Sequence, residues 1–120
     1  MLGHYVHAAS VRMDPDADPR APGAAVTLEL CGSWNHEPPC PLAPHHTSPE
    51  RNGAVVDLRI VFAVEPAREV EVRRRIDRAL ASNSLIGPDG VGTNWSLRDS
   101  HPGVLSDAES EQAKRIAATT

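Results

Sequence analysis

The chain has 120 residues, the usual size of one domain, so we predict a single domain over residues 1–120. Its formal net charge is −4, and this acidic balance disfavours a nucleic-acid partner because phosphate neutralisation needs a basic protein face. The sequence has no stretch that approaches the roughly 18 to 20 consecutive apolar residues that span a bilayer, so no membrane partner is predicted.

The N-terminal sequence shows no charged segment followed by an apolar one, so no secretory signal is predicted and we expect a cytoplasmic protein. Lys114 is the single lysine among twelve Lys and Arg residues, a bias typical of a bacterial genome rich in G and C. Cytoplasmic thiols stay reduced, and this compartment therefore favours metal binding over disulfide formation for the two cysteines of the chain.

Alternating apolar residues predict three strands before the first helix, over residues 4–13, 24–34 and 54–64. His7 falls on the apolar face of the first strand, which predicts a hydrogen-bonded histidine in the core. In the second strand the alternation places Cys31 on the polar side, away from the core. The third strand has the most continuous apolar face of the three.

The second half of the chain predicts a helix over 66–82, a strand over 91–97 and a terminal helix to about residue 118. Ser106 and Glu109 form a capping box at the start of that last helix. The order β-β-β-α-β-α predicts an α+β fold, with a four-stranded, mostly antiparallel sheet and two helices packed on one face.

The most informative stretch runs from Cys31 to His46, inside a Pro-rich loop predicted at about 31–53. Thiolate and imidazole are the ligands that zinc prefers, and four of them complete a tetrahedral shell. Because His45 and His46 are adjacent, we expect one of them to bind. The sequence therefore predicts a zinc site with five candidate ligands, Cys31, His36, Cys40, His45 and His46.

Two other interpretations of this stretch stay open. It could be a Pro-rich surface loop with incidental histidines and unpaired thiols, or Cys31 and Cys40 could form a disulfide. For the metal itself, copper(I), iron and nickel are the alternatives to zinc, because mixed Cys and His sites accept them as well.

Three hypotheses of function follow. The first is a binding module, in which zinc makes residues 31–46 a rigid surface that contacts a protein partner or a small ligand. The second is a small metalloenzyme with water at the fourth metal position and Glu37, His46 or His101 as the acid or base. The third is a metal-free structural subunit that assembles through a sheet edge, for example as a homodimer.

Overall fold

The computed structural model describes residues 2–32, 43–87 and 89–118 of the chain. In these residues a four-stranded sheet, a two-stranded hairpin and three α-helices are present, which confirms the α+β class. The elements in chain order are β1 (Gly3–Arg12), α1 (Ala21–Cys31), β2 (His45–Asn52), β3 (Val55–Val64), α2 (Glu69–Ala81), β4 (Ser84–Ile86), β5 (Gly92–Asn94), β6 (Ser96–Pro102) and α3 (Asp107–Ala118).

The main sheet has the strand order β2-β3-β1-β6, and every neighbouring pair is antiparallel. The central pair, β1 and β3, is in register from Gly3 opposite Val64 to Arg12 opposite Val55. With α1 between β1 and β2, and α2 between β3 and β6, the connectivity is the split β-α-β arrangement of ferredoxin-like folds. The short hairpin β4–β5 is inserted before the last strand of that sheet.

The predicted strand over 24–34 is wrong, because this stretch forms most of α1. Val26 and Leu30 are buried at helical spacing on the face that packs into the core. Pro22 lies in the first turn of α1, where its missing N–H would have no partner in the helix. Gly32 ends the helix in the left-handed conformation, with a φ of 79°.

The predicted loop also differs from the structure at its C-terminal end. Residues 45–52 form the edge strand β2, in which Pro49 is tolerated because one side of an edge strand needs no ladder hydrogen bonds. The strand predicted over 91–97 is divided between β5 and the longer β6. The predicted strands around β1 and β3 and the predicted helices around α2 and α3 are confirmed.

Two apolar clusters lie on opposite faces of the sheet, so the prediction that two helices share one face is wrong for α3. One cluster joins β1 and β3 to α1 and α2, through residues that include Ala9, Leu58, Phe62, Val26 and Ile76. On the other face, Val6 and Val61 pack against Ala113 of α3. Side chains alternate between the faces of a strand, and β1 and β3 carry apolar residues on both.

An ion pair fixes the start of α3 to the sheet, and the predicted capping box at the same end of the helix is confirmed. Arg59 of β3 donates from Nε and Nη2 to the Glu109 carboxylate, at 2.7 and 2.8 Å. Glu109 also accepts the Ser106 N–H at 2.9 Å, while the Ser106 hydroxyl accepts the Glu109 N–H at 3.1 Å. These contacts, and the Arg59 hydrogen bonds above all, hold the pKa of Glu109 at about 2, below its usual 4.5.

Among the described helices, none has the length and apolar content needed to cross a bilayer.

Replacing Glu109 by Gln should lower the free energy of unfolding by about 1 kcal/mol at pH 7, a modest value because the Arg59 side chain is partly exposed. The Glu109 carboxylate contributes stability above pH 4.5 and loses it as the pH falls toward 2. The difference between wild type and Glu109→Gln should therefore shrink when urea unfolding is repeated at about pH 3.

Glu111→Gln is the matched control, because Glu111 lies in the same helix and pairs with an exposed Lys114. We expect that variant to stay within about 0.5 kcal/mol of wild type at both pH values. Equal losses in the two variants would show that the ion pair with Arg59 does not anchor α3.

Candidate functional site

Two of the five predicted zinc ligands lie together where α1 ends and β2 begins. Cys31 is the last residue of α1 and His45 is the first of β2, and Cys31 Sγ lies 3.9 Å from His45 Nδ1. The prediction that Cys31 lies on a polar face is wrong, since its side chain is only 5% exposed. It is buried because the stretch is a helix, on which Cys31 follows Leu30 on the core side.

The His45 ring is held by polar groups on both of its nitrogens. Its Nε2 lies 3.0 Å from the Thr27 hydroxyl, and its Nδ1 lies 3.1 Å from the Ala43 carbonyl oxygen. The Thr27 hydroxyl can also donate its hydrogen to the Gly23 carbonyl oxygen, which lies 3.2 Å away. If Nδ1 carries the proton, it donates to Ala43 and Thr27 donates to Nε2. If Nε2 carries the proton, Nε2 donates to Thr27 and Nδ1 keeps its lone pair.

The sulfur of Cys31 takes part in a disulfide bond in this structure. The chain has one other cysteine, Cys40, which lies outside the described residues. A disulfide sulfur has no thiolate charge and is therefore not a zinc ligand of the usual kind. The disulfide and the predicted zinc site are thus alternative states of the same sulfur.

Within the described part of the chain, no other predicted site residue lies beside Cys31 and His45. His36, Glu37 and Cys40 lie outside it. His46 pairs with Val61, whose side chain packs on the α3 face, so His45 and His46 point to opposite faces of the sheet. Across residues 2–32, 43–87 and 89–118, no group of three or more His, Cys, Asp or Glu side chains is arranged to hold a metal ion.

His101, the last of the three candidates for the acid or base, lies on the strand β6. Its side chain is more than half exposed, and its Nδ1 lies 2.9 Å from Asp99 Oδ2. In the register of the sheet it is opposite Ala8, on the α3 side, and the strand β3 separates β1 from the strand that carries His45. The structure therefore does not bring His101 to the corner of Cys31 and His45.

A groove of about 280 Å³ runs between α1 and β2 beside His45. Its lining includes Arg20, Thr27, His45 and Thr47. Its width is set by Gly23, because a Cβ at that position would lie only 3.0 Å from Cβ and Cγ2 of Thr47. The groove gives small solutes a path from solvent to the His45 ring.

A second polar cluster, which the sequence analysis did not predict, surrounds His7 on the face of the sheet that packs against α2. His7 is 2% exposed. Its Nε2 lies 2.8 Å from Ser100 Oγ of β6 and 3.2 Å from Asp77 Oδ1 of α2. Ser100 also donates its hydroxyl proton to Asp77. The prediction that His7 is a hydrogen-bonded core histidine is confirmed.

Arg73 completes this cluster from the other side of the ring. Its Nη1 donates to His7 Nδ1 at 3.0 Å and to the Val6 carbonyl oxygen at 2.9 Å. Its Nε donates to Glu69 at 2.8 Å. The guanidinium also lies over two rings, 5.8 Å from the Tyr5 centroid and 5.3 Å from that of Phe62.

Arg73 belongs to a run of arginines at residues 73–75, and such a run on a helix usually lies on a solvated face, but the side chain of Arg73 is only 12% exposed. The sequence signal that could have identified it is spacing. Position 73 directly follows the buried Val72 and lies four residues before Asp77, so both polar side chains fall on one face of α2 beside the core.

The cluster contains Ser, His and Asp side chains, but its hydrogen-bond donors and acceptors are not arranged as in a catalytic triad. Arg73 is always a donor, so His7 Nδ1 has to accept and Nε2 has to carry the proton. Nε2–H then donates toward Ser100 and Asp77 and cannot remove a proton from the serine hydroxyl. Burial lowers the pKa of His7 below its usual 6.5, and Asp77 opposes this shift without overcoming it. The ring is therefore neutral and serves as a structural link.

We predict that a fluorophosphonate probe, which labels activated serines, leaves Ser100 unmodified at neutral pH. The reason is that His7 offers Ser100 a donor in place of a base. Intact-protein mass spectrometry after incubation measures the outcome, with a serine hydrolase as the positive control. An adduct found on wild type and absent from Ser100→Ala would contradict this assignment of protons.

The chain was compared with protein-family models, with curated proteins and with solved structures, and no match was found in any of the three.

Proposed function

We propose that the chain is a small zinc-binding module whose metal site lies at the corner where α1 meets β2 in the reduced protein. The observation that carries this proposal is the 3.9 Å distance between Cys31 Sγ and His45 Nδ1, two residues that the sequence analysis had already named as ligands. We further propose a cytoplasmic location, where thiols stay reduced and the sulfur is available to a metal.

The distance between these two atoms fits a shared zinc ion. Zinc binds thiolate sulfur at about 2.3 Å and imidazole nitrogen at about 2.0 Å, so two ligands of one tetrahedral ion lie about 3.5 Å apart. The observed separation exceeds this by a few tenths of an ångström. A small rotation of either side chain would close that gap.

The polar groups around His45 also suit a metal ligand. Metal-bound histidines usually donate their second ring N–H to a protein oxygen, which fixes the ring and its tautomer. Thr27 Oγ1 lies 3.0 Å from Nε2 and can accept that proton while it donates to the Gly23 carbonyl oxygen. In this arrangement Nδ1 would be the atom that binds the ion, on the side of Cys31.

The other ligands would come from the segment between the two described ones. His36 and Cys40 are the remaining residues of suitable chemistry there. Together with Cys31 and His45 they would make a shell of two sulfurs and two nitrogens. Such a closed shell favours a structural role over hydrolysis, because no coordination position remains for water.

In this account zinc supplies a cross-link. The end of α1, the start of β2 and the segment between them would become one rigid surface, and that surface would contact a protein partner or a small ligand.

The reduced protein should bind close to one equivalent of zinc, and His45→Ala should lower this occupancy at least tenfold at limiting zinc, since losing one of four ligands weakens binding strongly. The measurement is zinc content after anaerobic reduction and gel filtration. Far-UV circular dichroism on the same samples shows whether each variant is folded.

His46→Ala is the matched control, because His46 is the next residue of the same strand and points to the other face of the sheet. It should bind zinc like wild type, whereas wild type oxidised to the disulfide should bind none. Equal zinc content in folded His45→Ala and wild type would exclude this site. Loss of zinc in His46→Ala, with zinc retained in His45→Ala, would show that His45 is not the ligand and that the proposal names the wrong histidine.

A further inference from the structure

The contacts of the His7 ring leave no room for a second ring proton. Nδ1 accepts a hydrogen from Arg73 Nη1 at 3.0 Å, so a proton on Nδ1 would place two donors and two positive charges face to face. His7 is 2% exposed, so water cannot screen the two charges. Proton uptake therefore requires one of the two groups to move.

Arg73 is the group that can leave. His7 is fixed between Ser100 and Asp77 on one side, and its backbone is paired within the central strand of the sheet. Arg73 is attached to a helix near the surface, and its Nε partner Glu69 is one-third exposed. The guanidinium can rotate toward solvent and keep its pairing with Glu69, while a protonated His7 gains from the carboxylate of Asp77.

We propose that His7 is a proton-operated latch: in its neutral form it holds the Arg73 guanidinium over the Tyr5 and Phe62 rings, and on protonation it expels that guanidinium toward solvent. The proton goes to Nδ1, and the hydrogen bond from Arg73 to this atom is lost. Acidification would therefore uncover the adjacent Tyr5 and Phe62 rings, which the guanidinium covers in the neutral form.

The groups that face His7 from each element packed against it indicate that the closed form disfavours protonation of the ring. From α2 they are Arg73 and Asp77, of opposite charge, and from β6 it is Ser100; β3 presents the apolar Ile60 opposite His7. His101 lies on the other face of the sheet and acts on the ring only through its charge. Burial, Arg73 and His101 disfavour the charged ring, and Asp77 alone favours it. The closed form thus takes up the proton less readily than an open form in which the ring behaves as usual.

The direction of the pH effect follows. At a pH where the ring is neutral in both the closed and the open form, pH has no effect. As the pH falls, the open form binds the proton first, because the pKa of His7 in the closed form is lowered, and each further pH unit raises the open fraction by up to about tenfold until the closed form also titrates. This range lies above the range in which Glu109 titrates, so the two effects are separable.

The chain carries its own reporters, because it contains one tyrosine and one phenylalanine, and these are the two rings beneath Arg73. Proton NMR from about pH 7.5 to about pH 5 should show the Tyr5 and Phe62 ring signals shifting with the same midpoint as the His7 ring. That midpoint should lie below 6.5. Ring signals that stay unchanged while His7 titrates would overturn the proposal.

His7→Gln removes the titration but keeps an acceptor and a donor, so the ring signals should become independent of pH. His4→Gln is the matched control on the same strand, and in this variant the Tyr5 and Phe62 ring signals should shift with pH as they do in wild type. Should His7→Gln fail to fold, Arg73→Gln gives a second test, since removal of the guanidinium should raise the midpoint of His7. Ring shifts that persist in His7→Gln, or an unchanged midpoint in Arg73→Gln, would each contradict the latch.

Discussion

The polar link between α2 and the sheet depends on His7 being neutral and carrying its proton on Nε2. In that form one ring links three elements: it accepts from Arg73 of α2, donates toward Ser100 of β6 and belongs to the central strand β1. Both ring nitrogens of the buried His7 have a partner, which is the condition under which a polar group inside a core does not destabilise it. The same full pairing makes the cluster sensitive to one added proton.

The corner of Cys31 and His45 and the His7 cluster face the same helical layer but are separated by apolar rings. In the register of the sheet, Phe62 lies between His45 of β2 and Tyr5 of β1. Arg73 covers Tyr5 and Phe62 from the α2 side, while Cys31 and Thr27 meet His45 from α1. The proposal for the first site depends on the oxidation state of a sulfur and the proposal for the second on the protonation of an imidazole, so the two can be tested independently.

The sequence predicted those parts of the fold in which one pattern dominates. The long apolar alternation of β3 and the capping box of α3 have few competing interpretations, and both are confirmed. The stretch of α1 satisfies two patterns, because Val26, Leu28 and Leu30 alternate like a strand while Val26 and Leu30 also lie one helical turn apart. Pro22 and Gly32 at its two ends were the signals that favour the helix.

The sites were harder to predict than the fold. The pairing of Cys31 with His45 could be anticipated from clustering and residue type, since both lie within sixteen residues of sequence. The His7 cluster could not, because its members come from positions 7, 73, 77 and 100 and meet only through the sheet order and the crossover of α2. His7 on an apolar strand face indicated a buried partner without indicating which residue it is.

The measurement that tests the account of His7 most directly is the tautomer of its ring at neutral pH, read from long-range proton–nitrogen correlations in the folded protein. The contacts with Arg73 and Ser100 predict a protonated Nε2 and a bare Nδ1. A protonated Nδ1 in the folded protein at neutral pH would contradict the account, because Arg73 could then not donate to the ring and neither the latch nor the exclusion of a reactive serine would stand.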